Sequence, residues 1–409
     1  MKISDEKLVL IVMSVTYFFG SSLVFPLLIA MTFLKLTSNG WKLVNSPLTI
    51  YLCFILLISL MSMLLFGLKS QQLSLYLVLR DTYYFLQPII VITFLSSYVH
   101  FNRGNFNTSL VISVMLFFTI SAYLASGYGT GVVESELDTK RGTYLSLIGL
   151  SLVFFASWYN REFYFSKFIS FVIGAVFLFA ILFSQSRFQI LLLISMLLIP
   201  IIIKFNAFNP VIIVFISMLF FFLFGDIVSD VAGTLYYSGH IGSFYDKILN
   251  SISELTVRSF SSSSTSEMTT NWRAYEAYLA RQDFMSGSMY EMLIGKGLGY
   301  TIYTPNYVFS QANQLDVLPI FHNGYFTIIL KSGIVGMSIF VTFCVHVIRL
   351  SKALYLRGDN YYSSLSLICF FYFSFSTLLV HGLYKTNIDV FFMFIYLSSY
   401  YRYRNYIDN

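Results

Sequence analysis

The sequence is short of charge and short of cysteine. Only 11% of its 409 residues are Asp, Glu, Lys or Arg, against about 25% in a soluble globular chain. That is too little to clothe a water-facing surface, and it excludes a cytosolic enzyme. The three cysteines, Cys53, Cys344 and Cys369, all lie in apolar runs, with no CxxC or Cys/His spacing. A secreted disulfide scaffold and a zinc site are both set aside on that ground. The net charge of +6 comes from basic residues scattered through short loops, so nucleic acid is not an expected partner. What the chain has instead is apolar and aromatic: 57% hydrophobic residues, 44 Phe and 31 Tyr, with a mean hydropathy of +0.74. Disorder is excluded, and an all-α polytopic integral membrane protein is expected.

Lipid offers no partner to an open backbone group, so each long apolar run should be helical. Runs fall at 8–34, 48–68, 72–99, 109–127, 143–159, 168–185, 188–203, 211–230, 320–348, 363–383 and 388–401. The stretch 231–319 is the only long polar gap, too long for an ordinary connection. The expected division is therefore 1–230 as N-terminal transmembrane helices, 231–319 as one large, partly helical loop, and 320–409 as C-terminal transmembrane helices. Run 8–34 is long for one span and short for two, and Gly20, Ser21, Ser22 and Pro26 interrupt it. One helix there gives 11 spans. A tight hairpin gives 12 and puts Lys2 and Lys7 inside, and is preferred. The run is too long for a cleaved signal peptide and should stay as an anchor.

Loop charge sets the orientation. One set of alternate loops holds Lys35, Lys42, Arg103, Arg161, Lys167, Lys204, Arg349, Lys352, Arg357, Arg402 and Arg404. The other holds Lys69, Lys140, Arg141, Arg187 and Lys385, with the acidic Glu134, Glu136 and Asp138. The first set should be cytoplasmic, which puts the large loop and Arg187 on the outer side.

Several polar residues on that side invite chemistry. His322 and Asn323 open the ninth run beside the large loop. An imidazole there titrates near neutral pH and can act as a general base, or it can simply wet a helix end. Arg187, in Ser184-Gln185-Ser186-Arg187, sits in a tight turn. Its planar fork suits phosphate, and snorkelling to headgroups is the plain alternative. Arg273 and Arg281 lie two turns apart on a helical stretch, Asn271 to Arg281, where an Arg273–Glu276 pair on a solvated face is equally natural. Gly295-Lys296-Gly297-Leu298-Gly299 lacks the dinucleotide spacing and reads as a turn that ends a helix or lets backbone come close to something. Arg80-Asp81 lies inside an apolar run, either as a structural pair or as part of a polar path. Asp226, Asp230, His381, Lys385 and Lys331 are secondary. Tyr236, Tyr237, Tyr245, Tyr300, Tyr303 and Tyr307 are candidates for sugar contact or loop packing, and Ser261–Ser264 reads as a flexible tract.

Taken together these residues resemble the O-antigen polymerase and O-antigen ligase superfamily of bacterial envelope glycosyltransferases. The resemblance rests on Ser184 to Arg187 before a mid-chain helix, and on Trp272 and Arg273 in the large loop followed by Gly295, Gly297 and Gly299. The third element is His322-Asn323 followed by Gly333 and Gly336. The motifs cover about 184–336, and Lys331 stands where members often carry an acidic residue. The resemblance implies an active site on the periplasmic face of the inner membrane. It implies a donor glycan on undecaprenyl pyrophosphate and no metal or other cofactor. Arg187 and Arg273 would hold the pyrophosphate, and His322 would be the base. Asn323, Arg281, Lys331, Arg80 and His381 are secondary candidates. Implied partners are the lipid-linked oligosaccharide, membrane lipid, a chain-length regulator and a flippase. A ligase or protein oligosaccharyltransferase uses the same donor, and a lipid-linked glycan flippase is the alternative of another class.

Overall fold

The computed structural model describes residues 10–14, 26–34, 37, 46–66, 74–99, 104–125, 136–161, 165–183, 187–209, 272–303, 317–318, 321–379, 382–384 and 390–408. Residues 10–14 and 26–34 are helical. The choice between one helix and two over 8–34, and the run at 211–230, lie outside the described residues.

Eleven further helices follow among the described residues: α1 Pro47–Leu65, α2 Leu75–Val99, α3 Thr108–Ala125, α4 Glu136–Trp158, α5 Lys167–Phe183, α6 Arg187–Lys204, α7 Trp272–Met285, α8 Met289–Ile294, α9 Gly324–Leu356, α10 Asn360–Leu379 and α11 Val390–Asp408. A two-residue antiparallel pair, β1 Ile302–Tyr303 with β2 Val317–Leu318, adds the only extended ladder among them. The chain is thus all-helical in character. Segments within α1, α2, α9 and α10 are long and apolar enough to cross a membrane, and four shorter apolar helices of 10–17 residues accompany them.

Local sequence accounts for the helix starts. At α1 the Ser46 hydroxyl accepts from the Thr49 amide at 3.2 Å, and Pro47 takes a first-turn position where no amide is needed. At α9 the Asn323 side chain accepts from the Tyr325 amide at 3.0 Å. Asn323 is therefore a helix cap.

The packed centre is α10 and α11. Almost every residue of α10 is buried, and so are Val390 to Ser399 of α11. Tyr372 stacks on Phe392 at 3.7 Å between ring centroids, and Phe343 of α9 meets Phe373 and Tyr396 edge-on. A dense share of the chain's aromatic rings packs here.

The two ends of the bundle differ. At the α9 C-terminal end, Arg161 lies over the rings of Tyr361 and Tyr362 at 4.3 and 4.9 Å. Arg402 pairs with Asp359 at 3.0 Å, and Arg357 donates to the Tyr406 carbonyl. Phe208, just past Lys204, packs on Tyr355. Basic residues of one loop set therefore gather at one end. The start of α9, with α7 and α8, is at the other.

Candidate functional site

A second apolar cluster, separate from the main core, sits over the start of α9. Tyr275, Leu279 and Ala280 of α7 pack with Ile302, Phe321 and Leu330. Residues 275, 279 and 280 line the buried face of α7, and Glu276, one turn before 279 and 280, lies within it; its side chain is only 4% exposed. A carboxylate in such a place needs partners. It finds them in His322: Nδ1 lies 2.9 Å from Glu276 Oε2 and 3.0 Å from Oε1, and the His322 backbone amide donates to Oε2 at 3.1 Å. The His322 side chain is 43% exposed. One edge of the ring is thus held by a buried carboxylate while the ring remains reachable. With Nδ1–H donating to the carboxylate, Nε2 becomes the basic atom.

Arg273 is exposed and one helical turn before Glu276. Arg281 is exposed two turns further along. Arg187 begins α6. Its neighbour Phe188 meets Tyr372 of α10 at 5.8 Å, and Tyr325 donates to the Ser374 carbonyl one short step along α10. The start of α6 is therefore at the same end of the bundle as His322. The Arg187 side chain, His381, Lys385, Asp226, Asp230, Tyr236, Tyr237, Tyr245, Tyr307 and Ser261–Ser264 lie outside the described residues, as does the side chain of Tyr303.

Below the dyad lies a buried charge node. Lys331 is 1% exposed and Asp81 2% exposed. Lys331 Nζ donates to Asp81 Oδ2 at 2.5 Å and also to the Tyr300 carbonyl. The Gly299 amide donates to the same Oδ2 at 2.8 Å, and Arg80 reaches Oδ1 at 3.0 Å. Arg80-Asp81 is thus part of a structural knot that ties α2 to α9 and to the loop after α8. Lys331 lies nine residues past His322, about 13 Å along the helix.

The glycines belong to this knot. Gly333 breaks α9 with φ 67°, and a Cβ there would strike the Leu293 carbonyl. Beside the break, the Leu330 and Lys331 carbonyls accept the amides of Lys296 and Gly297 at 2.7 and 3.2 Å. A loop thus satisfies carbonyls that a broken helix leaves open. Gly295, Gly297 and Gly299 have φ of 82°, 89° and 81°, and a Cβ on Gly297 would enter the Met63 backbone of α1. The Ser62 hydroxyl donates to the Gly295 carbonyl. The object approached by the glycine turn is the protein itself.

Next to it, Lys296 pairs with Asp283 at 2.8 Å, and the Tyr300 hydroxyl donates to Asp283 Oδ1 at 2.7 Å. Burial first, then the Asp283 carboxylate, pushes the Tyr300 phenol well above its ordinary range, so it stays a neutral donor. Burial raises Tyr275 likewise. Among the described residues no three His, Cys, Asp or Glu side chains cluster in a way that would hold a metal ion.

Glu276 is the residue that sequence reasoning missed as a functional group. The available signal was a carboxylate flanked by Ala274, Tyr275, Ala277 and Leu279, on the apolar side of a helix in a polar loop. No protein-family profile, curated protein or solved structure matches this chain.

Proposed function

We propose that the chain is a bacterial surface-polysaccharide repeat-unit polymerase of the O-antigen type, an inner-membrane protein of 11 or 12 spans whose site faces the periplasm. One observation carries the reading. A reachable imidazole is held on a buried carboxylate, one turn from Arg273, at the end of the bundle away from Arg161, Arg357 and Arg402. By the positive-inside bias that basic end faces the cytoplasm, which leaves the dyad outside.

The residue types suit glycosyl transfer from a lipid pyrophosphate. His322 Nε2 takes the proton of an acceptor sugar hydroxyl as its oxygen bonds to the anomeric carbon of the donor glycan. The carbon–oxygen bond to undecaprenyl pyrophosphate breaks, and its electron pair leaves with the phosphate. Arg187 and Arg273 meet that growing negative charge. Glu276 stabilises the imidazolium formed. Attack opposite the leaving group inverts the anomeric centre.

The test is elongation by purified protein in liposomes loaded with lipid-linked repeat units. The expected product is a ladder of polymer on undecaprenyl pyrophosphate. A single transfer to a lipid or protein acceptor would instead make it a ligase or oligosaccharyltransferase. Movement of labelled glycan across the bilayer with no new glycosidic bond would make it a flippase and end the proposal.

A further inference from the structure

Helix α8 turns its large apolar residues outward. Met289 is 74% exposed, Tyr290 71% and Leu293 36%, and Met285, just before the helix, is 62% exposed. Positions 289, 290 and 293 share one helical face. The helix is not frayed. Ser288 caps it, and Glu291 reaches back to the Ser288 amide at 2.7 Å in a complete capping box. Its other side packs on α9 and α1. A capped, docked helix with such a face marks an interaction surface.

The helix and the turn after it lie against helices that are apolar and long enough to cross a membrane. Leu293 abuts Gly333, and the next α9 residues, Ile334 and Val335, are apolar and 45% and 39% exposed. Just past the helix, Gly297 rests on Met63, and the residues that follow it in α1, Leu64 and Leu65, are 60% and 50% exposed. Segments of α1 and α9 are among those apolar and long enough to cross a membrane. Depth agrees. Before its basic residues Arg349 and Lys352, α9 runs roughly 15 residues from Ile334, about 22 Å of helix, some 8 Å short of a hydrocarbon core of about 30 Å. The break at Gly333, and Leu293 beside it, therefore lies within about 8 Å of the boundary where hydrocarbon gives way to headgroups, the depth reached by the apolar face of an interfacial helix. The nearby charges are already engaged, Glu291 in the cap and Lys296 with Asp283.

We propose that α8 is an interfacial helix, with Met285, Met289, Tyr290 and Leu293 inserted among lipid acyl chains at the bilayer surface on the α7 side. Tyrosine suits that layer, with its ring among the chains and its hydroxyl toward the headgroups. The contact anchors the α7–α8 unit to the leaflet, so Glu276, and through it His322, is held at the membrane surface. The lipid contact stands whether or not the protein transfers glycan.

The experiment uses the full chain in lipid nanodiscs, with the exposed Cys53 changed to serine and Cys344 and Cys369 left buried. A bimane label is placed in turn by Met289→Cys, Tyr290→Cys and, as a water-facing control at the opposite end of the bundle, Asp408→Cys, whose side chain is 63% exposed. Lipid carrying a nitroxide high on its acyl chain is expected to remove more than half the emission at 289 and 290, with little effect of iodide; the control should show the reverse. Quenching of 289 and 290 by iodide and not by lipid would show a wet surface and overturn the proposal. Quenching by neither would show a protein cover, such as a second copy, and overturn it equally. If the cysteine variants aggregate, Tyr290→Trp with brominated lipid decides: added tryptophan emission that is quenched supports the contact, and emission that is not refutes it. Because no step depends on catalysis, failure here is distinct from failure of the glycosyltransfer reading.

Discussion

His322→Ala is expected to reduce polymer elongation by at least about 10²-fold, the usual scale for loss of a general base, while donor affinity stays near wild type. The imidazole is asked to act on a proton in the transition state, so its removal should fall on kcat and not on KM. Glu276→Gln keeps the shape of the carboxylate and loses its charge. The ring can then be held by the wrong tautomer, as a side-chain amide can donate to Nδ1. That variant should lose at least about tenfold in kcat, again with little change in KM, and the nitrogen chemical shifts of labelled His322 should report the tautomer change. A Glu276→Gln enzyme with wild-type kcat would show that the carboxylate merely packs α7 against α9. A His322→Ala enzyme with wild-type ladders would remove the base altogether.

The largest stability effect is expected at the buried node. Asp81→Ala leaves Lys331, 1% exposed, without its carboxylate, and takes the acceptor from the Gly299 amide and from Arg80. Breaking a buried pair from one side costs about 3–5 kcal/mol. The same range is expected for Lys331→Ala, which leaves Asp81 with the Arg80 and Gly299 contacts and so should sit at its lower end. The double variant Asp81→Leu with Lys331→Met removes both charges and should recover part of the loss. Unfolding in mixed detergent micelles measures all three. Single variants within about 0.5 kcal/mol of wild type, the ordinary range for surface changes, would mean that the node does not hold the loop after α8.

Much of the helical framework is legible in the sequence, because an apolar run in lipid has few other choices. Runs such as 48–68, 72–99 and 188–203 lie within a few residues of α1, α2 and α6. Boundaries fail where helix and apolarity part company. The run at 320–348 stops at Arg349, yet α9 continues to Leu356, since Arg and Lys are good helix formers and emerge there at the polar end. The run at 143–159 begins seven residues inside α4, whose first turns are polar.

The site is legible by residue type and not by pairing. His322 stands out from its position at a helix start. Its partner is 46 residues away on another helix, and no local rule connects them. The glycines are similar: positive φ and close approach are foreseeable from Gly-x-Gly-x-Gly, but not that the approach is to Met63 and to the broken turn at Gly333. Arg80-Asp81 reads as an ion pair, while the third charge, Lys331, is 250 residues on.

The central claim is that Arg187, Arg273 and His322 share one pyrophosphate. The most direct measurement is a cryo-electron microscopy map of the protein in nanodiscs with undecaprenyl pyrophosphate bound. The account predicts both phosphates between the two guanidinium groups, with His322 Nε2 directed at the glycosidic end of the lipid and Nδ1 still on Glu276. Pyrophosphate bound at the Arg161–Arg402 end, or Arg187 turned away from a phosphate held elsewhere, would contradict it.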